Sequence, residues 1–170
     1  QYPGCLRSNR LGQRVSTGMR RSEICGLKWD AVDLESGRVE VVATLQQIRG
    51  HGLVTGAPKT KKSRRPIKLG PMTVELLRVV HGDQIWAKEV AGPLWQEQGY
   101  VFTQADGSPV LPDRLTQEFA ALTKALEMPP LTFHGLRHAF ATMALQANIN
   151  SKVVSEALGH SSVNITLDLY

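Results

Sequence analysis

One stretch near the end of the chain constrains the fold more than any other: Thr132-Phe-His-Gly-Leu-Arg-His-Ala-Phe-Ala-Thr-Met-Ala, preceded by Pro129-Pro130. The two prolines break whatever comes before, and Thr132 is a good N-cap for a helix that begins at Phe133. Within that helix His134 and Arg137 stand three residues apart, and His134 and His138 four apart, so one face carries two imidazoles beside a permanent positive charge. The other rows, Leu136, Phe140, Met143 and Ala144, are apolar and are expected to be the buried side. A guanidinium fork suits a phosphate, and an imidazole suits proton transfer near neutral pH.

The rest of the chain supplies the frame for this helix. The 170 residues suffice for one domain with a real core, and an apolar share of 42% is ordinary for a globular protein. The net charge of +5 favours a polyanionic partner. Cys5 and Cys25 have no paired spacing, which points to a reducing compartment and against a zinc site. Apolar runs are too short to span a bilayer, and no signal peptide is evident, so no membrane role is expected.

In order, residues 1–16 read as an irregular lead-in containing Arg7, Arg10 and Arg14. Thr17 or Ser22 is the expected cap of a short helix with Ile24, Cys25 and Leu27. Trp29, Val32 and Leu34 follow as apolar anchors. Arg20 and Glu23 are three apart, close enough for the carboxylate to hold the guanidinium. Glu35-Ser-Gly37 marks a turn, residues 38–45 a strand, and residues 46–68 two further strands, with a tight turn at Lys61-Lys-Ser63. Lys59, Lys61, Lys62, Arg64, Arg65 and Lys68 make the densest basic cluster, a cationic hairpin suited to a nucleic-acid backbone.

Helical spacing of Val74, Leu77, Val80 and Ile85 predicts an amphipathic helix over 72–90, closed by Gly92-Pro93. Val101-Phe102 reads as a short extended piece, and Asp106-Gly107 as a turn. Residues 112–126 read as a helix with Leu115, Phe119 and Leu122 inward. Ser151 is the expected cap of a helix ending at Leu158, stopped by Gly159, and Ser162 the cap of a last one carrying Ile165, Leu169 and Tyr170. Trp29, Trp86 and Trp95 read as packing residues. The tally is a mainly α protein with a small three-stranded antiparallel β-sheet, an α+β arrangement.

Five pieces call for one explanation: Thr17-Gly-Met-Arg20-Arg-Ser-Glu23, Pro58-Lys59-Thr60, His134-Gly-Leu-Arg137-His138, Leu158-Gly-His160-Ser-Ser, and Thr166-Leu-Asp-Leu-Tyr170. Together, in this order, they resemble the phage integrase family, the tyrosine recombinases, from about Thr17 to the last residue. The resemblance implies a catalytic domain over 17–170 that cleaves and rejoins DNA strands through a 3′-phosphotyrosyl intermediate, without ATP or any cofactor and with no metal.

It also implies roles. Tyr170 is the nucleophile, a weak one that needs activation. Arg20 and Arg137 bind the nonbridging phosphate oxygens. The motif selects Arg20, which follows Thr-Gly-Met, over Arg21. Glu23 orients Arg20, His134 is general acid or base, and His160 hydrogen-bonds a phosphate oxygen. Lys59 gives a proton to the leaving 5′ oxygen, with Lys61 and Lys62 as competitors for that role. His138 is a supporting hydrogen bonder, and Lys61, Lys62, Arg64 and Arg65 contact DNA.

The implied partner is double-stranded DNA, with tetramers assembling on it in full-length members, in a bacterial or phage-encoded protein of the cytoplasm and nucleoid. Full-length members carry an N-terminal core-binding domain that is not seen here, and they continue past the tyrosine. This piece alone is therefore expected to recombine weakly or not at all. A type IB topoisomerase and a non-catalytic DNA-binding module on the same scaffold are the rival readings. The Leu158-Gly-His160-Ser-Ser spacing opposes the first, and the presence of Tyr170 opposes the second.

Overall fold

The computed structural model describes residues 17–58, 63–160 and 162. Lys59, Lys61, Lys62, the turn at 61–63 other than Ser63, and the Ile165–Tyr170 end of the chain lie outside the described residues. The elements run α1 (Arg21–Cys25), β1 (Val32–Asp33), β2 (Arg38–Val41), β3 (Thr44–Ile48), β4 (Gly52–Gly56), β5 (Arg65–Lys68), α2 (Pro71–Ala91), α3 (Pro112–Ala125), α4 (Phe133–Gln146) and α5 (Ser151–Leu158). Among the described residues no helix is long and apolar enough to cross a membrane.

The chain is mainly helical with a small antiparallel sheet, as its pattern predicts, but the strands are distributed differently. Val32–Asp33, β2 and β5 form the three-stranded sheet, in the order β1-β2-β5. The expected strand over 38–45 breaks after Val41, and Thr44 starts a separate two-stranded ribbon of β3 with β4. The break follows from packing. Leu45 must reach the core, where it is 1% exposed, and the α1 end presses so close that a Cβ on Gly26 would lie 2.8 Å from the Thr44–Leu45 backbone. Val42, at the bend, is left exposed.

Strand alternation sets the inner face of the sheet. In β2, Val39 and Val41 are buried while Arg38 and Glu40 face out; in β5, Arg65 and Ile67 are buried while Pro66 and Lys68 face out. Val39, Val41 and Ile67 join Ile24, Leu27, Leu77, Val80, Val101, Phe102, Val110 and Leu115 in the main core. Gln84 of α2 ties its layers together. Its amide oxygen accepts from Trp29 Nε1 at 2.6 Å, and its nitrogen donates to Tyr100 O and Thr103 Oγ1.

Two smaller clusters carry the helices that follow. Phe119 and Leu136 join α3 to α4, and Ala141, Val154 and Leu158 join α4 to α5. Thr132 caps α4 as expected, its Oγ1 accepting from Gly135 N at 3.0 Å. Asn150, not Ser151, caps α5, because its carboxamide oxygen accepts from Lys152 N at 2.9 Å. Gly159 ends α5 in the left-handed conformation at φ 67°.

Three apolar residues expected inside are outside. Met143 is 50% exposed, Ile85 51% and Trp86 67%. Their helices are long enough for periodicity to continue past the surface that covers them: α4 buries Ala141 where the pattern suggested Met143, and α2 buries Thr73, Leu77 and Val80 but runs on beyond the sheet.

Candidate active site

Three segments distant in sequence meet on one side of the molecule: the Gly18–Glu23 stretch, the first turns of α4, and the end of α5. Arg137 holds them together. It is only 6% exposed; its Nη1 donates to Gly18 O at 2.6 Å and its Nη2 to Leu158 O. The close approach needs glycine at 18, where φ is +62° and a Cβ would lie 2.8 Å from the Phe140 ring. Carbonyl oxygens accept from the guanidinium without taking its proton, so the group stays cationic while its plane is fixed.

Neither Thr17 nor Ser22 caps α1. Arg20 occupies the cap position, and the Glu23 carboxylate reaches back to Arg20 N at 2.8 Å. Glu23 also takes Arg20 Nη1 at 2.8 Å, while Arg20 Nη2 donates to Gly159 O at 3.2 Å. The guanidinium is thus oriented from two sides yet remains partly open to solvent. Arg21 turns the other way, onto Asp113 and Thr116 of α3.

Arg20, Thr132, Phe133, His134 and Arg137 line one groove together with Arg21 and Thr116. His134 is exposed and shares a 2.7 Å contact between Nε2 atoms with His138, so a single proton between them binds the two rings. The His138 pKa is lowered by burial, then by the charges of His134 and Arg137. His160 follows Gly159 and is pushed down to about 4, first by burial, then by Arg137, Arg20, Arg65 and His138. At neutral pH it is uncharged and offers a ring N–H. Among the described residues no group of three or more His, Cys, Asp or Glu gathers to hold a metal ion.

One site residue departs from expectation. Arg65 does not project toward solvent as a DNA contact; it is 7% exposed and forms a two-pronged pair with Glu23, Nη1 to Oε1 at 3.1 Å and Nη2 to Oε2 at 3.0 Å. Its Nε donates to Ala157 O at 2.6 Å. The signal was present in the chain: Arg65, Ile67 and Leu69 alternate with polar or small residues, so a buried Ile67 carries Arg65 inward with it. Arg64, one residue earlier, is exposed. Lys59, Lys61, Lys62 and Tyr170 lie outside the described residues. Arg20, Glu23, His134, Arg137, His138 and His160 come together.

Residues 11–170 match the phage integrase family, and the chain belongs to that family. A "tyrosine recombinase XerC-like" protein of Caldanaerobacter subterraneus subsp. tengcongensis is 30% identical over 165 residues, covering 91% of this chain and 42% of that protein. The ICEBs1 integrase of Bacillus subtilis is 27% identical over 161 residues, covering 91% of this chain and 41% of that protein. Among solved structures, the Tn1549 transposon integrase in complex with transposon right end DNA superposes with a TM-score of 0.76 at 25% identity, covering 95% of this chain and 53% of that one. The XerA recombinase, at 20% identity and a TM-score of 0.75, shares the fold. The chain spans about two fifths of the length of these curated relatives.

Proposed function

We propose that this chain is the catalytic domain of a site-specific DNA recombinase of the integrase type. It cleaves one strand of double-stranded DNA and rejoins it to another through a 3′-phosphotyrosyl link. The observation that carries the reading is the convergence of Arg20, His134 and Arg137 on one groove, with His160 beside both guanidinium groups. Two fixed guanidinium groups facing a common space suit a phosphodiester whose nonbridging oxygens gain charge in the transition state.

In the proposed step the Tyr170 phenol oxygen bonds to phosphorus and the bond to the 5′ oxygen breaks. His134, with His138 behind it, handles the phenol proton. Lys59 protonates the departing 5′ oxygen, and neutral His160 donates its N–H to a phosphate oxygen. The phosphotyrosyl bond conserves the energy of the phosphodiester, so a 5′ hydroxyl from another strand reverses the step without ATP. The named DNA complex of the Tn1549 integrase supports a duplex partner. Lys61, Lys62 and Arg64 supply phosphate contacts, with full-length proteins pairing into tetramers on two duplexes. The bacterial and phage sources of the relatives support action on DNA in the cytoplasm, at the nucleoid.

The test is covalent trapping. The chain is mixed with a pool of nicked duplexes, whose short cleaved product diffuses away, then denatured and run on a gel beside Tyr170→Phe. A DNA-linked band in the wild type and none in the variant is the expected result. A band that persists in the variant refutes the role of Tyr170. Salt-sensitive DNA binding without any band, in a chain extended at both ends, would leave a binding module instead.

A further inference from the structure

Among the described residues, Arg65 is the one buried cation near the groove that the proposed chemistry does not use. Its guanidinium occupies both oxygens of Glu23, and Glu23 in turn holds the backbone and side chain of Arg20. Its Nε is bonded to Ala157 O, two residues before Gly159, whose carbonyl takes Arg20 Nη2. A Cβ on Gly159 would lie 2.8 Å from Arg65 Nη1, so the α5 end and this guanidinium are in direct contact. Glu23 thus has two guanidinium partners, one partly exposed toward the groove and one buried behind it.

A carboxylate held by Arg20 alone would keep two or more rotamers. The second, bidentate guanidinium leaves it one. Arg65 also begins β5, so its bonds tie the start of that strand to α1 and α5. We propose that Arg65 is a positioning residue for phosphoryl transfer: it locks Glu23, and through it Arg20, and sets the register of the α5 end that carries His160. The proposal rests on the recombinase reading for its chemistry but not for its geometry.

The experiment compares the wild-type chain with Arg65→Lys and Arg65→Met. Adduct formation on the nicked duplexes is timed at saturating DNA, and affinity is measured by separate titration. Misplacing a catalytic group by about 1 Å costs on the order of 10²-fold, so Arg65→Met should lose roughly that factor in rate. Arg65→Lys, which restores one charge-assisted bond to Glu23, should recover only part of that loss and remain about 10-fold below wild type, with DNA affinity in both variants changed by less than about threefold. Weakened affinity with an unchanged rate at saturation would make Arg65 a DNA contact and overturn the proposal.

A second readout needs no activity. The Nη protons of Arg20, observed by NMR, should be resolved and slowly rotating in the wild type and averaged in both variants. Should Arg65→Met not fold, Arg65→Lys decides by the same two measurements, and wild-type rate and wild-type Arg20 signals in it overturn the role. A wild-type chain that makes no adduct sinks the recombinase reading, while loosened Arg20 signals in the variants would still uphold the positioning role.

Discussion

The cations around the groove and those in exposed surface pairs are the same residue types in different physical states. Arg137 and Arg65 are buried and bonded to main-chain carbonyls or a buried carboxylate. Arg78, Lys88 and Arg114 reach Glu35, Glu97 and Glu118 across exposed surface, with side chains 46–55% exposed. In water a long side chain gains little from such a pair, because solvent screens it and ordering costs entropy. In the groove the desolvation cost is already met by the fold, and the geometry stays fixed whether or not a phosphate is present. What separates the two regions is preorganisation, not charge.

The comparison is broken most severely at Arg137. Replacing it by lysine keeps the charge but loses the fork that spans Gly18 O and Leu158 O. Adduct formation should fall by about 10²–10³-fold at saturating DNA, as for loss of one preorganised donor. An Arg137→Lys chain with wild-type rate would show that the groove does not hold the phosphate.

An intermediate effect is expected at Glu23. Glu23→Gln leaves Arg65 buried with a neutral partner, and breaking a buried pair in this way costs about 3–5 kcal/mol in unfolding free energy by urea titration. Burial alone would raise the Glu23 pKa, but the hydrogen bonds and charge of Arg65, and the bonds from Arg20, hold it below the ordinary 4.5. A depressed carboxylate stabilises the fold above its unfolded pKa, and that contribution disappears as pH falls through the folded value. The gap between wild type and Glu23→Gln should therefore be full at pH 6–7 and shrink below about pH 4.5. A gap that does not depend on pH would mean the carboxylate charge is not what stabilises.

The smallest effect belongs to an exposed surface pair. Lys88 Nζ lies 2.5 Å from Glu97 Oε2, yet both side chains are more than half exposed. Lys88→Ala should change unfolding free energy by less than about 1 kcal/mol and leave adduct formation unchanged. A large loss there would erase the distinction between the two regions.

Most of the groove was legible from spacing. His134, Arg137 and His138 share a face because a helix capped by Thr132 puts them there, and Arg20 meets Glu23 across three residues of a short helix. These relations are local, and backbone geometry alone enforces them. Burial was harder to read. Arg64 and Arg65 look alike in a basic run, and only the inward-facing Ile67 separates the exposed one from the buried one. Met143, Ile85 and Trp86 continue apolar stripes past the surface that covers them, which periodicity cannot register.

By itself the sequence determined the helices of the described residues, the caps at Thr132 and Gly159, the small antiparallel sheet, and the family to which the chain belongs. Each follows from short-range stereochemistry or from a motif order that few folds share. Only the tertiary structure decided that Arg137 clasps Gly18 and Leu158, that Arg65 faces Glu23, and that burial, then the charges of three guanidinium groups, lowers the His160 pKa. The longest of the named hydrogen bonds joins residues 119 positions apart. Coulomb and hydrogen-bond energies depend on distance and on solvent exclusion, and packing, not spacing along the chain, sets both.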